Sequence, residues 1–327
     1  MSSFILNLIK GILMGAANVI PGVSGGTVAF ITGIYEKLIE SLNAIDLKAI
    51  KLFFTGKWRS LAAKINLTFL STLFLGILVA TFSLAKLIEY LLTNYEIEIW
   101  SFFFGLIIAS SIIIIKQITN WKPITVFFLI AGIGIAYAIT SLSLIRTPDT
   151  LPYLFMSGAI AIVTMILPGV SGSFMLVILD KYSYVIGMVT SITDGIKPLI
   201  QSLMAGEFSG VRTALESMQI IPLLVFMAGT IIGLLLFAKV LNWLYKNYKN
   251  VLIAFLTGFL IGSLNKVWPW KETLEWYTDK QNELQPLIQK NILPPEIDLK
   301  FLIAIGLAVS GFLIVYLVER FATPKSH

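Results

Sequence analysis

Two short motifs in this sequence place serine and glycine where the start of a helix could bind an anion. Residues 21–26 read Pro-Gly-Val-Ser-Gly-Gly, and residues 168–173 read Pro-Gly-Val-Ser-Gly-Ser. Because proline fixes φ and glycine accepts positive φ, each motif predicts a tight turn. The helix that follows such a turn begins with unpaired amide N–H groups and a partial positive charge. This chemistry binds phosphate or another anionic group and needs no nucleophile.

The candidate ligands for the anion are the hydroxyls and amides that follow each turn. Glycine lets a ligand approach the backbone closely, and serine or threonine adds a hydroxyl donor. The predicted phosphate-binding residues are Ser24, Gly25, Gly26 and Thr27 in the first motif and Ser171, Gly172 and Ser173 in the second. The alternative is that each motif is a packing turn whose polar groups are satisfied by neighbouring protein.

Charged and tyrosine side chains near the motifs are the next candidates, because a charge inside a membrane is costly and marks function. The candidate partners for the anion or for a coupled proton are Lys10, Glu36, Lys86, Asp180 and Lys239. Tyr35 and Tyr182 are candidates for headgroup contacts. The alternatives are snorkelling lysines, anchoring tyrosines, and interfacial salt bridges from the two acids to the adjacent Lys37 and Lys181.

The elements that carry these residues must lie in a membrane. The chain has 327 residues, of which 57% are hydrophobic and 13% charged, whereas a soluble domain has about 25% charged residues. Apolar runs close to the roughly 20 residues that cross a bilayer recur along the whole chain. The sequence contains no cysteine, and its single histidine is His327. We therefore predict an all-α polytopic membrane protein with no disulfide, no metal site and no cofactor.

The chain contains an internal repeat. Residues 11–45 align with residues 158–192, and residues 76–110 align with residues 229–263. The matches include proline, glycine, lysine, asparagine and tyrosine, which coincide by chance far less often than leucine, isoleucine and valine do in apolar sequence. The chain is therefore interpreted as two copies of one unit.

Each unit is predicted to contain one re-entrant helical hairpin, with the motif at its tip, and three transmembrane helices. The first unit, 1–147, has its hairpin at 3–43 and its spans at 66–93, 97–116 and 122–145. The second unit, 148–327, has its hairpin at 152–192 and its spans at 220–243, 251–267 and 301–320. The helix after the first motif is expected to run without a break to about residue 43.

Basic residues in the loops predict the orientation of the two units. The loop at 46–64 has several lysine and arginine residues against a single acid, which places it in the cytoplasm. The turn at 93–98 and the polar segment at 266–300 are then outside, and both termini are cytoplasmic. The two hairpins enter from opposite sides and bring their tips toward the bilayer midplane. This is an inverted-topology repeat, a common plan for secondary transporters.

The motifs also resemble those of a known family. Residues 11–27 and 33–36 resemble the signature of the polyprenyl-phosphate transporter family, and residues 167–173 resemble its second motif. The resemblance covers essentially the whole chain. It implies a flippase, not an enzyme, that returns undecaprenyl phosphate from the outer to the inner leaflet of the bacterial plasma membrane for cell-wall and surface-polymer synthesis. Asp180 and Lys181 depart from the first copy, which has glycine and isoleucine there.

Other functions remain open at this point. A channel or secondary transporter for a small soluble anion could use the same opposed hairpins, but it would enclose its site, whereas a lipid carrier must open sideways to the bilayer. A membrane phosphatase is disfavoured, because the sequence has no usable histidine and no dense carboxylate cluster. The expected partners are a lipid phosphate and membrane lipids, with no nucleic acid. The sequence does not indicate an oligomeric state.

Overall fold

The first motif joins the arms of a helical hairpin. The computed structural model describes residues 3–19, 24–142, 144–278 and 284–322. The hairpin consists of α1 (Ser3–Val19), α2 (Gly25–Ile31) and α3 (Tyr35–Asn43). Residues 20–23 of the predicted turn lie outside the described part of the chain. The expectation of an unbroken second arm is wrong, because α2 ends at a bend where Gly33 adopts a φ of 68°.

The basic segment after the hairpin forms two short helices, α4 (Leu47–Phe54) and α5 (Trp58–Lys64). Asp46 begins α4 by accepting a hydrogen bond from the Ala49 amide at 2.9 Å, and Lys64 pairs with the same carboxylate at 2.9 Å. These contacts, the Lys64 bond first, hold the pKa of Asp46 below its usual value. Phe54 and Trp58 remain exposed. The segment is therefore an aromatic and basic surface structure rather than a plain loop.

Three apolar helices complete the first half of the chain: α6 (Leu67–Asn94), α7 (Glu96–Ile115) and α8 (Pro123–Thr140). All three are long and apolar enough to cross a membrane. Each begins and ends within about five residues of the span predicted from hydropathy. Most of α7 is buried, whereas α8 is largely exposed to the surroundings.

The second motif also forms a broken hairpin, made of α9 (Leu151–Ile166), α10 (Gly172–Ile178) and α11 (Tyr182–Ala205). The axes of α10 and α11 are bent by 107°. Asp180 lies in this bend with a φ of 55°, where the first hairpin has glycine. The predicted end at residue 192 is wrong, because α11 continues to Ala205 and is followed by α12 (Phe208–Ser217).

The last three apolar helices are α13 (Ile220–Asn247), α14 (Lys249–Val267) and α15 (Leu299–Ala322). With α6, α7 and α8 they make six candidate spans among the described residues, so the chain is a multi-pass membrane protein. The segment between α14 and α15 contains an antiparallel β-hairpin of β1 (Lys271–Thr278) and β2 (Leu284–Asn291). The sequence does not predict this hairpin, since its charged residues and the proline in β2 favour a loop.

Helices pack closely at glycines, both within each half of the chain and between the halves. Within each half the first hairpin arm packs on a span, α1 on α6 and α9 on α13. Between the halves, α7 packs on α15 and α14 packs on α8. A Cβ atom on the glycine would overlap the partner helix at Gly11 against Leu73, Gly158 against Phe226, Gly105 against Ala308 and Gly258 against Leu129. Close backbone approach of this kind is how membrane helices associate.

Candidate functional site

The amides at the start of α2 are bonded within the first hairpin. Ser24 is the N-cap in extended conformation, and its Oγ accepts a hydrogen bond from the Gly26 amide at 3.0 Å. The Gly25 amide donates to Oδ1 of Asn18 at 2.8 Å, and the Thr27 amide donates to the Ser24 carbonyl at 2.9 Å. The N–H groups that the sequence offers to an anion therefore already have partners in this conformation.

The two hairpin tips meet. Ser24 Oγ donates a hydrogen bond of 2.8 Å to the carbonyl oxygen of Met165, near the end of α9. A Cβ atom on Gly26 would overlap the carbonyl oxygen of Ile166. The terminal carbonyls of α9 carry partial negative charge, and the start of α2 carries partial positive charge. The end of one hairpin arm thus occupies the place in front of α2 where an anion would be attracted.

The second tip has the same cap with a different hydrogen bond. Ser171 is the N-cap of α10, and its Oγ accepts from the Phe174 amide at 3.2 Å. The hydroxyls of Ser171 and Ser173 are 3.2 Å apart. A Cβ atom on Gly172 would lie 2.6 Å from the carbonyl oxygen of Ala161, so α10 folds back tightly on α9. The motif therefore does what its residue types predict locally, which is to cap a helix after a sharp turn.

The second tip also packs against α14. Gly169 has a φ of 102°, and a Cβ atom there would lie 2.7 Å from Ser263 Oγ. Further along α14, Lys266 Nζ lies 4.7 Å from the centroid of the Phe174 ring in α10. Only glycine combines this backbone conformation with so close a neighbour. The second tip is therefore held against the end of α14 that leads into the β-hairpin.

Two buried hydroxyls of the first hairpin have no hydrogen-bond partner among the described residues. They are Thr27 Oγ1 and Tyr35 Oη. Thr27 is 0% exposed and Tyr35 is 3% exposed, whereas the repeat-related Tyr182 is 43% exposed. The Tyr35 ring packs against Phe30 with 4.6 Å between centroids. Of the two repeat-related tyrosines, Tyr35 is therefore buried and Tyr182 is at the surface. The two buried hydroxyls without a hydrogen-bond partner both belong to the first hairpin.

Lys10 and Glu36 are both engaged, at different places. Lys10 Nζ donates to the carbonyl oxygen of Thr32 at 2.7 Å, so it joins the first arm to the bend between α2 and α3. Glu36 Oε2 accepts a hydrogen bond from Tyr245 Oη at 2.9 Å. The suggested salt bridge of Glu36 with Lys37 does not occur; Lys37 Nζ lies over the Phe69 ring instead, 4.6 Å from its centroid. Neither side chain reaches the Ser24 tip contact.

Three other charged candidates lie away from the tips. Lys86 and Lys239 are exposed on the outer surfaces of α6 and α13, as snorkelling side chains would be. Asp180 forms the left-handed bend residue of the second hairpin. The suggested pairing of Asp180 with Lys181 is wrong, because the fully buried Lys181 donates to Asp149 Oδ1 at 2.7 Å.

Some of the residues that shape the site have weak signals in the sequence. Asn18 lies three residues before the first motif, and an asparagine this close to a predicted helix start is a recognisable capping residue. Met165 contributes only a backbone carbonyl, which no residue type can reveal. Lys266 falls in the segment that is predicted to be outside, although it ends an apolar run and is therefore also a candidate intramembrane lysine.

Comparisons with known proteins agree with the motifs. Residues 14–285 match a family model described as VCA0040-like, undecaprenyl phosphate translocase-like. The chain is similar to a polyprenyl-phosphate transporter of Vibrio cholerae, with 40% identity over 98% of this chain and 97% of the relative. It is also similar to a polyprenyl-phosphate transporter of Staphylococcus aureus, with 31% identity over 81% of this chain and 86% of the relative. No solved structure matches the chain. The chain belongs to the undecaprenyl phosphate translocase-like family.

Proposed function

We propose that this chain translocates undecaprenyl phosphate, or a closely related polyprenyl phosphate, across the bacterial plasma membrane. The observation that carries the proposal is the family membership, since the similarity to a polyprenyl-phosphate transporter extends over nearly the whole of both chains. The direction is from the outer to the inner leaflet, where the carrier is reused in the synthesis of cell-wall and surface polymers.

The physical task fits a protein without catalytic machinery. A phosphate headgroup is very costly to move through hydrocarbon, whereas the isoprenoid chain is at home there. The protein needs only to shelter the headgroup while the tail stays in the lipid. That task requires polar groups in the membrane interior and a lateral opening, and no bond is made or broken.

We propose that the two hairpins enter the membrane from opposite sides, as an inverted repeat of units 1–147 and 148–327 with cytoplasmic termini. The paired contacts support this plan, because α1 on α6 has its counterpart in α9 on α13. Between the units, α7 of the first packs on α15 of the second, and α14 of the second packs on α8 of the first, so these contacts are reciprocal as well. An alternating opening around the meeting point of the tips would then expose the headgroup to one leaflet at a time.

We place the path of the phosphate at the contact between the two tips. The groups that would bind it are Ser24, Gly25, Gly26, Thr27, Ser171, Gly172 and Ser173. In the present conformation Ser24 is bonded to Met165 and the α2 amides are satisfied, so the tips are closed. The headgroup would replace the α9 carbonyls in front of α2, and the partnerless Thr27 hydroxyl is a donor ready for it.

The test is transport in proteoliposomes that carry a fluorescent polyprenyl phosphate, read with a membrane-impermeant quencher that reports the outer leaflet only. The double variant Ser24→Ala with Ser171→Ala should slow translocation by about tenfold, because each substitution removes a hydroxyl that would donate a hydrogen bond to the phosphate. Ser71→Ala is the matched control, since Ser71 is exposed on α6 and bonds only to the Thr68 carbonyl within its own helix.

The outcomes separate the proposals. Translocation at the wild-type rate in the folded double variant would show that the phosphate does not bind at the tips on its way across. Wild-type protein that moves inorganic phosphate into vesicles but leaves the lipid in place would favour the carrier for a small soluble anion. Wild-type protein that moves neither substrate would contradict the proposed function.

A further inference from the structure

Two lysines lie close together at the end of the bundle that carries the β-hairpin. Lys266 is in the last turn of α14, and Lys271 begins β1. Lys266 Nζ lies over the Phe174 ring, and Lys271 Nζ lies 4.5 Å from the centroid of the Trp100 ring in α7. Lys271 Nζ also donates a hydrogen bond to the carbonyl oxygen of Lys266. Two half-buried ammonium groups are therefore gathered at the junction of α7, α10 and α14.

The described residues balance these two charges only in part. Within the described part of the chain, the salt bridges involve other residues, and neither lysine has a carboxylate within 4.0 Å. The acid that acts on both through space is Glu96, in the first turn of α7. Burial, followed by repulsion from Lys266, lowers the pKa of Lys271 to about 7. An anion between the two lysines would relieve this excess of positive charge.

An apolar groove of about 380 Å³ lies between α7 and α15, and its lining includes Trp270, which directly precedes Lys271 in the chain. Trp268 and Trp270 line the end of the groove that adjoins Lys271. The turn that holds these tryptophans is fixed, since Trp268 Nε1 donates to the Ile292 carbonyl at 2.8 Å. Ile305 lines the groove and is nevertheless exposed on the outside of α15, so the groove opens sideways toward the lipid.

We propose that this end of the bundle receives the lipid from its leaflet. The phosphate of a polyprenyl phosphate is bound between Lys266 and Lys271, and the first isoprene units lie in the groove between α7 and α15. Charge complementarity favours a lipid phosphate here. Its anionic headgroup matches the two lysines, and its apolar tail matches the groove. On the predicted orientation, this is the outer leaflet.

The location also connects with the tips. The Phe174 ring beneath Lys266 belongs to α10, the helix that starts at Ser171. A phosphate held at the lysines is therefore already beside the second tip, and a shift of α10 would pass it inward. This inference rests on the proposed function, since it names where the substrate of that function first binds.

The headgroup part is tested by binding of farnesyl phosphate to the full chain in phosphatidylcholine nanodiscs, with farnesol as the probe that lacks phosphate. Lys266→Gln and Lys271→Gln should each weaken the binding of farnesyl phosphate by about tenfold or more, because each removes a charged donor to the phosphate. The binding of farnesol should stay unchanged. The control is Lys290→Gln, an exposed lysine on the same β-hairpin, which should change neither affinity.

The tail part is tested with a matched pair on α15. Ile305 lines the groove and is 46% exposed, whereas Ile303 is 44% exposed but faces away from the groove lining. Ile305→Trp should fill the groove and weaken the binding of both farnesyl phosphate and farnesol by about fivefold. Ile303→Trp, with the same change in size, should have no effect on either probe.

The results distinguish this inference from the proposed function. Wild-type affinity for farnesyl phosphate in both folded lysine variants, with transport by the wild-type chain intact, overturns the inference alone. Wild-type protein that neither binds nor transports polyprenyl phosphate overturns both. Inorganic phosphate that binds as tightly as farnesyl phosphate overturns the assignment of the groove.

A second measurement uses the wild-type chain, so it does not depend on the folding of any variant. A farnesyl phosphate with a photoreactive group on its tail is cross-linked in the nanodiscs, and the labelled peptides are mapped by mass spectrometry. Label on α7 or α15 around the groove supports the inference. Label confined to α6, α13 or other surfaces contradicts it.

Discussion

The bend of the first hairpin is held by a side chain of its own first arm, whereas the bend of the second is held from outside. In the first, Lys10 of α1 donates to the Thr32 carbonyl. In the second, the buried Lys181 donates to the Thr147 carbonyl and to Asp149, which belong to the loop before the hairpin. The same motif is therefore built into one self-supported hairpin and one hairpin whose shape depends on its neighbours.

This difference has a consequence for movement. Besides the packing of α9 on α13, the second hairpin contacts its surroundings at the Lys181 loop contact, at the Gly169 approach to α14, and at Phe174 under Lys266. A ligand or a shift at any of these points changes the balance of contacts on the second tip. The first hairpin also contacts its surroundings, through Ser24, through the Tyr245 bond of Glu36 and through Lys37 over the Phe69 ring, but none of these contacts involves Lys266 or Lys271. We expect the second hairpin to respond first when substrate binds.

The largest effect on stability is expected at the ion pair of the second hairpin. The Lys181 side chain is 0% exposed and that of Asp149 is 42% exposed, so Asp149→Asn leaves a buried ammonium group without its carboxylate partner. The free energy of unfolding should fall by about 2 to 3 kcal/mol, discounted for the exposed partner, and the thermal midpoint of the detergent-solubilised protein should fall with it. Glu216→Gln breaks the exposed pair with Arg212 and should change stability by about 0.5 kcal/mol or less. Equal midpoints for both variants would show that the second hairpin does not depend on this loop.

A smaller and equal effect is expected where the two hairpins pack in the same way. Gly11 and Gly158 are repeat-related, and at each a Cβ atom would overlap the backbone of the adjoining span. Gly11→Ala and Gly158→Ala should each lower the free energy of unfolding by about 2 kcal/mol through overpacking.

The control for this pair is Gly187→Ala in α11, where the space around the glycine is open. It should be neutral or slightly stabilising, since alanine is the better helix former. Thermal midpoints of the three variants provide the check. A clear loss in only one of the two packed variants would mean that the halves are less alike than their contacts indicate.

The smallest effect is expected at the bends themselves. Gly33 has a φ of 68° with open space around it, and Asp180 has a φ of 55°. Gly33→Ala should cost about 1 kcal/mol of stability, because an L side chain is strained in that conformation. Asp180→Gly should gain about 0.5 kcal/mol by removing the same strain, less the entropy of a new glycine. A loss in Asp180→Gly would indicate that the aspartate side chain itself stabilises the bend.

Hydropathy and residue type predicted the parts of this fold that depend on local sequence. The six spans follow from apolar length, and Ser24 and Ser171 cap helices because serine after a Pro-Gly turn is suited to do so. The second bend could not be predicted in the same way, since Asp180 is not a residue that requires positive φ. The ion pair of Lys181 with Asp149 joins residues far apart in sequence, and no sequence pattern predicts it.

The contacts that the candidate site residues make could not be predicted from the sequence. The sequence indicates that the motifs belong to opposed tips, and the structure places Ser24 against Met165. That contact uses a backbone carbonyl, which depends on how two hairpins dock and not on the identity of the residue. The β-hairpin that carries Lys271 was hidden for a related reason, because short strands rich in charge gain their stability from pairing and from packing on α7 rather than from propensity.

We propose that the substrate phosphate passes where the two tips meet, so the tips must part during transport. The chain contains no cysteine, so Ser24→Cys with Met165→Cys provides a single pair for a short cross-linker that reductant cleaves. Translocation of fluorescent polyprenyl phosphate in proteoliposomes is measured before cross-linking, after it and after cleavage, with each single-cysteine variant treated in parallel. We expect cross-linking to stop translocation in the double variant alone and cleavage to restore it. Unchanged translocation with the tips fully cross-linked would contradict a path for the phosphate between the two tips.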